Sequence, residues 1–408
     1  MSTHCRWMGL DLPSPFILAS LTLFSHTDLP RHIAYYCKCA EAGAGAIILP
    51  SVNPERSTGS GDRNNVKVRT MIIESGLKGP MGFTVQGPTY PNIISLEYGI
   101  ALAAGLVQKQ PGIPVIASIA DIGTSDQFEF ALNQLLQTPI DGIELYFSCP
   151  NALTRFGQSP EETLLSKLKR ARHICGNIPI SLKLSPTIDY GELLNKITDE
   201  VQGLTLFNAY IGLVPPSLES AATSPFAGYD RWAPTGIYGP QQRLLTYYHL
   251  YKFVPFAQSK GLEISCVGGF VNDRQAIQAL LLGATTVQLS SVVAWHGIQS
   301  FQTFKHSLDA YLTSKNIPSV QSLIGISLPY IEDSVDTVIQ TQHEQARMLV
   351  TDRCKMCNRC TCIDKLCLAI SQPAPASKAE IDSDLCSGCG WCVSICPFQS
   401  IIQQAHGK

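Results

Sequence analysis

Short runs of apolar and β-branched residues recur along the chain as far as residue 291, and stretches with helical periodicity separate most of them. The runs cover residues 16–20, 46–50, 115–120, 143–148, 180–185, 204–210, 264–269 and 286–291. Strands that alternate with helices pair in parallel, and eight such units is the number that closes a barrel. The pattern therefore predicts an α/β protein with a (β/α)8 TIM barrel, and an open doubly wound sheet is the alternative.

Two connections between the predicted strands are unusually long, at residues 51–114 and 211–263. The first contains a further strand-like segment at 82–86, which predicts a hairpin outside the barrel. The second contains the stretch 213–234, with Pro215 and Pro216, which predicts a lid or a docking surface. Both insertions predict additional structure outside the barrel.

The predicted strands end in polar or glycine-rich residues, and barrel enzymes place their chemistry at the carboxyl ends of their strands. These ends carry Ala19 and Ser20, the run Ser148-Cys149-Pro150-Asn151, Lys183, Asn208, Gly268-Gly269, and Ser290 and Ser291. The candidate site is therefore expected at this end of the barrel.

Lys183 is predicted to point into the barrel. The alternation within 179–186 puts Ser181, Lys183 and Ser185 on one face and three apolar residues on the other, and the apolar face must meet the outer helices. A buried lysine is costly unless an anion meets it. Two interpretations follow: an ion pair with an inward carboxylate such as Glu144, or contact with an anionic ligand or with charge that develops during a reaction.

A phosphate site is predicted after the seventh strand. Gly268 and Gly269 precede Asn272, which is a suitable N-cap for a helix at 273–282. Backbone N–H groups and the helix dipole favour an anion there, and TIM barrels commonly bind phosphates after this strand. The segment 235–240, Thr-Gly-Ile-Tyr-Gly-Pro, predicts a second glycine turn over the same group.

Nine of the fifteen cysteines lie between residues 354 and 396. Four of them, Cys386, Cys389, Cys392 and Cys396, have the spacing C-x2-C-x2-C-x3-C-P, and three more, Cys354, Cys357 and Cys360, repeat its first half. This spacing wraps a chain around a [4Fe–4S] cluster, whose fourth ligand comes from the other half of the motif. It is too tight for a disulfide framework. The sequence therefore predicts a ferredoxin-like domain with two [4Fe–4S] clusters.

The eighth ligand is less regular than the other seven, because residue 364, where a dicluster ferredoxin has cysteine, is Asp364. If a helix follows Cys360, Cys367 lies on the same face and Cys362 points away. We therefore expect one cluster on Cys354, Cys357, Cys360 and Cys396, and the other on Cys386, Cys389, Cys392 and Cys367. Asp364 and Cys362 are the alternatives to Cys367.

Composition limits the class of protein. The 408 residues are 45% hydrophobic and 15% charged, with a net charge of −2, which is typical of a well-cored globular protein. The balance of charge argues against nucleic acid and membrane surfaces as partners, and no run of 18 apolar residues or signal-peptide core is present. We expect a cytoplasmic protein with an FMN-binding barrel at 1–305, a helical connection at 306–350 and the cluster domain at 351–408.

A phosphate site, a lysine inside the barrel and iron–sulfur clusters on one chain together suit flavin mononucleotide, FMN. Flavin accepts a hydride or an electron pair and returns electrons singly, which is what [4Fe–4S] clusters require. Reduced flavin carries negative charge near N1 and O2, where a lysine ammonium would contribute ~1.5–3 kcal/mol.

Five segments now resemble a known family. Residues 12–20 (Leu-Pro-Ser-Pro-Phe-Ile-Leu-Ala-Ser), 147–151 (Phe-Ser-Cys-Pro-Asn), 157–161 (Gly-Gln-Ser-Pro-Glu), 181–186 (Ser-Leu-Lys-Leu-Ser-Pro) and 283–288 (Gly-Ala-Thr-Thr-Val-Gln) are similar to dihydroorotate dehydrogenase and the flavin domain of dihydropyrimidine dehydrogenase. With the cluster domain added, the chain looks most like the iron–sulfur catalytic subunits of bacterial NAD-dependent dihydropyrimidine dehydrogenases. The resemblance covers residues 9–300 and 350–400.

The resemblance implies roles for individual residues. Ala19 and Ser20 would line the flavin, Lys183 would contact its N1/O2 edge and Asn208 would lie beside the ring. The phosphate would be held by Gly239, Gly268, Gly269, Ser290 and Ser291. Cys149 would be the catalytic acid or base, as in cytosolic dihydroorotate dehydrogenases; the later loop cysteine that dihydropyrimidine dehydrogenases use is replaced here by Phe156. The substrate would face Tyr146, Asn151 and Asn208.

The substrate side departs from the family. Tyr146 stands where the family has asparagine, Ala209 stands where it commonly has serine or threonine, and no lysine lies near Pro50. Each buried polar group of a ligand that finds no partner costs ~1–3 kcal/mol, so a site without these donors would bind a polar ring weakly. The expected substrate is therefore neither orotate nor uracil.

Two functions are compatible with these features. The first is an FMN and iron–sulfur oxidoreductase that acts on a CH–CH or C–N bond of a small molecule. The alternative is an electron-transfer subunit whose flavin relays electrons to a partner protein. The chain has no dinucleotide-binding fingerprint, so both functions predict a flavoprotein reductase or a ferredoxin as partner, within an oligomer or hetero-complex.

Overall fold

The computed structural model describes residues 2–21, 28–54, 70–72, 84–86, 93–120, 124–147, 160–186, 192–197, 199–213, 216, 231, 234–340, 347–363 and 367–404. The chain forms two compact units, Met1–Pro329 and Tyr330–Lys408. The division lies within 306–350, where the sequence predicts the connection between domains. Across the described ranges, every helix is too short or too polar to cross a membrane.

The first unit alternates strands and helices. Its strands are β1 (Cys5–Trp7), β2 (Leu10–Leu12), β3 (Phe16–Leu18), β4 (Ile47–Asn53), β5 (Thr70–Ile72), β6 (Thr84–Gln86), β7 (Ile93–Ser95), β8 (Val115–Ala120), β9 (Gly142–Tyr146), β10 (Ile180–Lys183), β11 (Gly203–Leu206), β12 (Tyr210–Gly212), β13 (Thr235–Tyr238), β14 (Glu263–Val267) and β15 (Thr286–Leu289). Its helices are α1 (Leu29–Glu41), α2 (Leu96–Gln108), α3 (Ser125–Leu135), α4 (Pro160–Cys175), α5 (Leu193–Ile197), α6 (Arg243–Ser259), α7 (Asp273–Leu281), α8 (Ser291–His296), α9 (Gln299–Ser314) and α10 (Val320–Leu323). Short 3-10 helices cover Pro240–Gln242 and Leu328–Tyr330.

Eight of these strands form a closed parallel ring in the order β3, β4, β8, β9, β10, β11, β14 and β15. The ring closes because β3 pairs with β15 on one side, with Val287 opposite Phe16, and with β4 on the other, with Leu18 opposite Ile47. Each of the eight overlaps a segment that hydrophobic patterning predicts as a strand, and β4 continues to Asn53, beyond its predicted end at residue 50. The closure confirms the TIM barrel and excludes the open doubly wound sheet.

The barrel interior is lined by polar side chains that are almost fully buried. They include Ser118, Glu144, Ser181, Lys183, Thr205, Ser265, Thr286 and Gln288. Alternate residues of the same strands, such as Ile180 and Leu182, are apolar and fully buried. Since successive side chains of a strand point to opposite faces, the apolar set packs outward and the polar set faces the barrel axis.

Side-chain caps fix where several helices begin. Asn272 accepts a hydrogen bond from Gln275 N at the start of α7, as the sequence predicts, and Ser95 caps α2 in the same way. Thr124 and Gln127 form a reciprocal capping box at α3. Each cap satisfies a backbone N–H that has no partner within the helix.

An antiparallel sheet of four strands, in the order β12-β13-β6-β5, lies outside the ring. It contains the strand predicted at 82–86 as Thr84–Gln86, paired with β5. Two other predictions of local structure were wrong. The strand predicted at 204–210 leaves the barrel after Leu206, and Tyr210–Gly212 joins this second sheet. The segment predicted as a turn at 235–240 is strand Thr235–Tyr238, and the turn is confined to Gly239, whose φ is 119°.

The second unit is small and built around its cysteines. It contains β16 (Arg347–Val350) paired with β19 (Ile401–Gln404), β17 (Ile370–Ser371) paired with β18 (Glu380–Ile381), helices α11 (Val335–Gln340) and α12 (Trp391–Ile395), and a 3-10 helix at Cys360–Ile363. Met348, Ile370, Cys392 and Ile401 form its hydrophobic core. Because few apolar residues are buried, side chains of the cysteine groups supply much of the packing.

Candidate active site

Lys183 lies inside the barrel, at the carboxyl end of β10. Its Nζ is 3.4 Å from Oε1 of Glu144, and both side chains are buried. An ion pair with Glu144, one of the two interpretations of Lys183, is therefore present. However, charge-assisted N–H···O bonds are usually 2.7–2.9 Å long, and an ammonium has three donors. The contact with Glu144 uses one of them at long range.

Glu144 is held mainly by neutral donors. Its Oε2 accepts hydrogen bonds from Thr205 Oγ1 at 2.8 Å and from Gln288 Nε2 at 3.1 Å. Thr205 Oγ1 also lies 3.1 Å from Ser181 Oγ. The carboxylate is thus satisfied largely without the lysine, which leaves Lys183 available to a second anion.

Thr205 and Gln288 were not among the predicted site residues. Both occupy inward positions of barrel strands, and the two-residue alternation of 204–206 and 286–289 is the signal that could have indicated them. Thr205 and Gln288 converge on Glu144 because the barrel closes. Closure brings Gln288 Nε2 within 3.2 Å of Thr205 Oγ1, although the two residues are 83 positions apart in the chain. Gln288 Oε1 is buried and has no hydrogen-bond partner among the described residues.

Tyr146 and Asn208 lie beside Lys183. Tyr146 is level with Lys183 on the neighbouring strand, and Lys183 Nζ is 5.9 Å from the centroid of its ring. Asn208 Nδ2 donates to Tyr146 Oη over 2.9 Å. Three predicted residues are therefore brought together, and an amide N–H of Asn208 is already engaged by the phenol oxygen.

Hydroxyl groups line the ends of β3, β4 and β8. Ser20 Oγ is 3.3 Å from Ser51 Oγ, which in turn is 2.8 Å from Ser118 Oγ. Ala19, just before Ser20, is buried, and its N–H donates to Leu289 O. The sequence predicted Ala19 and Ser20 at this edge but missed Ser51 and Ser118, which reach it from the neighbouring strands.

The glycine pair after β14 packs tightly against the start of α6. Gly268 and Gly269 have φ of 132° and 81°, values that side chains rarely permit. A Cβ on Gly268 would lie 2.9 Å from Thr246 Oγ1, and one on Gly269 would lie 2.7 Å from the backbone N of Arg243. Only glycine fits at either position, because neighbouring atoms of α6 occupy the space that a side chain would need.

The other predicted phosphate residues follow the neighbouring strand β15 or precede the 3-10 helix before α6. Val267 is opposite Gln288 in the adjacent strand, so Gly268 and Ser290 lie at neighbouring strand ends. Gly239 precedes the 3-10 helix that carries Gln242, and a Cβ on Gly268 would be 3.4 Å from Gln242 Nε2. Gln242 is buried, and its Oε1 has no partner within the described part of the chain. Ser291 begins α8 directly after Ser290.

The predicted acid or base, Cys149, and the predicted substrate residue Asn151 lie outside the described residues, as does Phe156. Most of the stretch 213–234 also lies outside them.

The first cysteine group lines one cavity of the second unit, formed by Cys354, Cys357, Cys360 and Cys396 with Ser400 nearby. Burial, followed by the proximity of the other three thiols, raises the pKa of Cys360. Burial also acts to raise the pKa of Cys396, but hydrogen bonds from Ser400 and from backbone N–H groups outweigh it and lower that pKa. Ser400 N lies 3.3 Å from Cys396 Sγ.

The second cysteine group packs into the small core. Cys392 is buried, with Cys367 and Cys386 packed against the same core. Burial and then the neighbouring thiols Cys386 and Cys389 raise the pKa of Cys392. A 3-10 helix covers Cys360–Ile363, and the three residues between it and Cys367 lie outside the described ranges, so Cys367 as the eighth ligand stays a prediction. Asp364 and the side chain of Cys362 lie outside the described residues.

Every cysteine whose side chain the structure describes is a free thiol. Within the same ranges, no three His, Cys, Asp or Glu side chains converge on a position for a single metal ion.

Comparison with known proteins agrees with this architecture. Residues 4–312 match the family described as dihydroorotate dehydrogenase, and residues 379–402 match the 4Fe-4S binding domain. A barrel of the dihydroorotate dehydrogenase family followed by a 4Fe-4S binding domain indicates an iron–sulfur oxidoreductase. The match covers most of the chain, and the chain belongs to the dihydroorotate dehydrogenase family.

Three relatives illustrate the range of similarity. The catalytic subunit of dihydroorotate dehydrogenase B (NAD(+)) from Methanosarcina acetivorans is 25% identical over 326 residues, which cover 78% of this chain and 94% of that protein. The NAD-dependent dihydropyrimidine dehydrogenase subunit PreA of Escherichia coli K12 is 24% identical over 87% of this chain and 84% of its own. The chloroplastic dihydropyrimidine dehydrogenase (NADP(+)) of Arabidopsis thaliana is 23% identical over 81% and 78% respectively.

Proposed function

We propose that the chain is an FMN and iron–sulfur oxidoreductase that moves electrons between [4Fe–4S] clusters and FMN, and thereby reduces or oxidises a CH–CH or C–N bond of a small molecule. The observation that carries the proposal is the position of Lys183. A buried cation whose carboxylate neighbour is already satisfied by Thr205 and Gln288 suits a second anion at the carboxyl ends of the strands.

The residues at this end of the barrel fit FMN. The buried oxygens of Gln242 and Gln288, which have no partner among the described residues, suit a polar ligand that would satisfy them. The positive φ values of the glycine pair allow the tight backbone turn beside Gln242. The isoalloxazine ring would be held by Ala19, Ser20, Lys183 and Asn208, and the phosphate by Gly239, Gly268, Gly269, Ser290 and Ser291. When bound, FMN accepts a hydride or an electron pair and releases electrons singly.

Lys183 would act as an electrostatic residue. Its ammonium would stabilise negative charge at the edge of the ring by ~1.5–3 kcal/mol, as a charged hydrogen bond does. Its burial makes this interaction stronger than at a surface, because water screens it less. Cys149 would supply or accept the substrate proton.

The proposed substrate is neither orotate nor uracil, and it faces Tyr146, Asn151 and Asn208. Support comes from the 2.9 Å hydrogen bond between Asn208 Nδ2 and Tyr146 Oη, which engages an amide donor that a polar ring would otherwise use. The aromatic ring of Tyr146 also offers an apolar surface. A substrate with fewer polar groups than a pyrimidine would suit this site.

Two clusters would occupy the second unit. Cys354, Cys357, Cys360 and Cys396, which line one cavity, would hold the first. Cys386, Cys389, Cys392 and Cys367 would hold the second; Cys367 and Cys386 pack against the core that contains Cys392, as do Cys360 and Cys396 of the first group. Such clusters persist in a reducing cytoplasm, where we place the protein.

An electron partner completes the proposal. Two of the relatives are named as subunits of NAD-linked enzymes. For this chain we propose a flavoprotein reductase or a ferredoxin as the partner, within an oligomer or hetero-complex. The alternative function, a relay subunit that passes electrons from its flavin to a protein, draws on the same Tyr146–Asn208 bond, since two proposed substrate residues contact each other.

Anaerobic purification with cofactor quantitation tests the proposal. We expect about one FMN and about eight irons per chain. Reduced methyl viologen should then reduce the flavin, and a panel of unsaturated small molecules should reoxidise it. Absence of flavin would overturn the proposal. Flavin that no small molecule reoxidises, but that an oxidised ferredoxin does, would favour the relay subunit.

A further inference from the structure

The loop 353–359 of the second unit carries unbalanced positive charge. Arg353, Lys355 and Arg359 are exposed, and none forms an ion pair with another described residue. The acidic residue nearest in sequence, Asp352, is already paired with Lys378. The loop therefore presents three cations to solvent.

Two of these cations lie beside a group of cysteines. Lys355 and Arg359 line the same cavity as Cys354 and Cys357, and Cys357 is exposed. Met356, between the two cysteines, is 46% exposed and adds an apolar contact. Charge, apolar surface and exposed sulfur thus occur within seven residues of chain.

The segment before the other cysteine group differs in charge. Asp382 and Asp384 are exposed and lie four and two residues before Cys386, and Cys389 is exposed as well. The described residues next to the two groups in the sequence therefore carry opposite charge. A general need to balance the negative charge of bound clusters does not account for this difference, because both groups would carry it.

We propose that the loop 353–359 is the docking surface for an acidic one-electron carrier protein, so that electrons cross at the cysteine group of Cys354, Cys357, Cys360 and Cys396. The inference rests on the proposed function, since those cysteines must hold a cluster. Complementary charge steers association and raises its rate by ~10–1,000-fold, and it repels carriers of the wrong sign. The exposed Met356 side chain would lie at the centre of the contact.

The test measures binding and electron transfer separately on the full chain. A small acidic bacterial ferredoxin is titrated into the protein by isothermal titration calorimetry, and its reduced form is mixed with the protein in a stopped-flow instrument while flavin bleaching is followed. In the variant K355E/R359E we expect affinity and second-order rate to fall at least ~10-fold at low salt. In the natural protein both should decline as salt screens the charges.

A matched variant controls for net charge. K260E/K315E reverses two exposed lysines of the barrel unit and changes the total charge by the same amount. Its affinity and rate should stay within ~2-fold of the natural protein, because neither lysine belongs to the proposed docking loop and total charge alone should change both quantities little. If K355E/R359E lowers the iron content, the neutral variant K355Q/R359Q is used in its place. Because it removes two charges and does not reverse them, we expect the logarithm of the second-order rate to fall by about half as much.

The outcomes separate the inference from the proposed function. Equal affinities and rates in K355E/R359E and K260E/K315E would overturn the docking surface, even if FMN, iron and viologen reduction are all as proposed. A changed cluster midpoint potential with unchanged carrier binding would show that the cations only tune the cluster. Binding to anionic phosphatidylglycerol vesicles but not to ferredoxin would also overturn it. Loss of flavin from the natural protein is a failure of the proposed function alone.

Discussion

Lys183 and Glu144 face each other across adjacent barrel strands, with 3.4 Å between Nζ and Oε1. Because Glu144 also accepts hydrogen bonds from Thr205 and Gln288, the pair is asymmetric: the carboxylate has several partners among the described residues, and the ammonium has fewer. Removing Lys183 therefore leaves a carboxylate that is still hydrogen-bonded. The cost should fall on the ligand more than on the fold.

The variant K183M tests this asymmetry. We expect FMN affinity to fall ~10–100-fold, equivalent to the ~1.5–3 kcal/mol of a charged hydrogen bond. The free energy of unfolding without flavin should change by less than that amount. Fluorescence titration with FMN and urea unfolding measure the two quantities.

Lys167 provides the control, because it is a buried lysine on a helix outside the barrel interior. K167M should lower stability and leave FMN affinity within ~2-fold. If K183M and K167M affect FMN equally, Lys183 has no direct role toward the flavin.

The glycine pair predicts a selective loss of phosphate binding. In G268A a Cβ would meet Thr246 Oγ1 at 2.9 Å and force the backbone to shift. We expect FMN affinity to fall ~10-fold or more, while affinity for riboflavin, which lacks the phosphate, changes little. Equilibrium dialysis with each flavin measures both affinities.

Gly261 provides a control for G268A, because alanine there would introduce backbone strain without a steric clash. Its φ is 66°, but nothing lies within 4 Å of a Cβ placed there. G261A should cost ~1 kcal/mol of stability from backbone strain and leave both flavin affinities unchanged. A similar loss of FMN and riboflavin in G268A would contradict a phosphate site at this turn.

Tyr146 is predicted to set substrate preference. Y146F keeps the ring beside Lys183 but removes the oxygen that accepts from Asn208 Nδ2. The freed amide should then improve the use of more polar substrates by up to ~1–2 kcal/mol in kcat/KM, or ~5–30-fold. Flavin reoxidation by a panel graded in polarity measures the change. A uniform loss across the panel, with no change in order, would assign Tyr146 a purely structural role.

The eighth cluster ligand can be assigned by iron content. Cys367 packs against the core that contains Cys392, whereas the sequence alone left Cys362 and Asp364 open. C367A should lose one cluster, so that iron falls from about eight to about four per chain, with a matching loss of charge-transfer absorbance. C362A and D364A should keep about eight irons. Full iron in C367A, with a loss in either of the others, would move the assignment to that residue.

Local patterning predicted much of the architecture. The eight barrel strands could be located because side chains alternate along each strand, and Asn272 could be assigned as a cap from its position before a helical run. The C-x2-C-x2-C spacing likewise lies within a few residues. The fold class and the presence of a cluster domain follow from such short-range regularities.

The predicted bounds failed where hydrogen-bond partners are distant in sequence. The strand predicted through residue 210 ends at Leu206, because Tyr210–Gly212 pairs with Thr235–Tyr238 rather than with the barrel. Nothing in the apolar pattern of 204–210 indicates this change of partner. The strand with which a segment pairs depends on the rest of the sheet, whereas the segment's own sequence indicates only which of its faces are buried.

The sequence by itself determined that the chain contains a TIM barrel, an inward-pointing lysine and closely spaced cysteines, since each depends on residues near one another in the chain. Tertiary structure alone decided that Thr205 and Gln288 converge on Glu144 and that Asn208 donates to Tyr146. These contacts arise when the barrel closes, so they join segments that the sequence leaves independent. Hydrogen bonds and charge act over a few ångströms of space, and only the folded chain sets those distances.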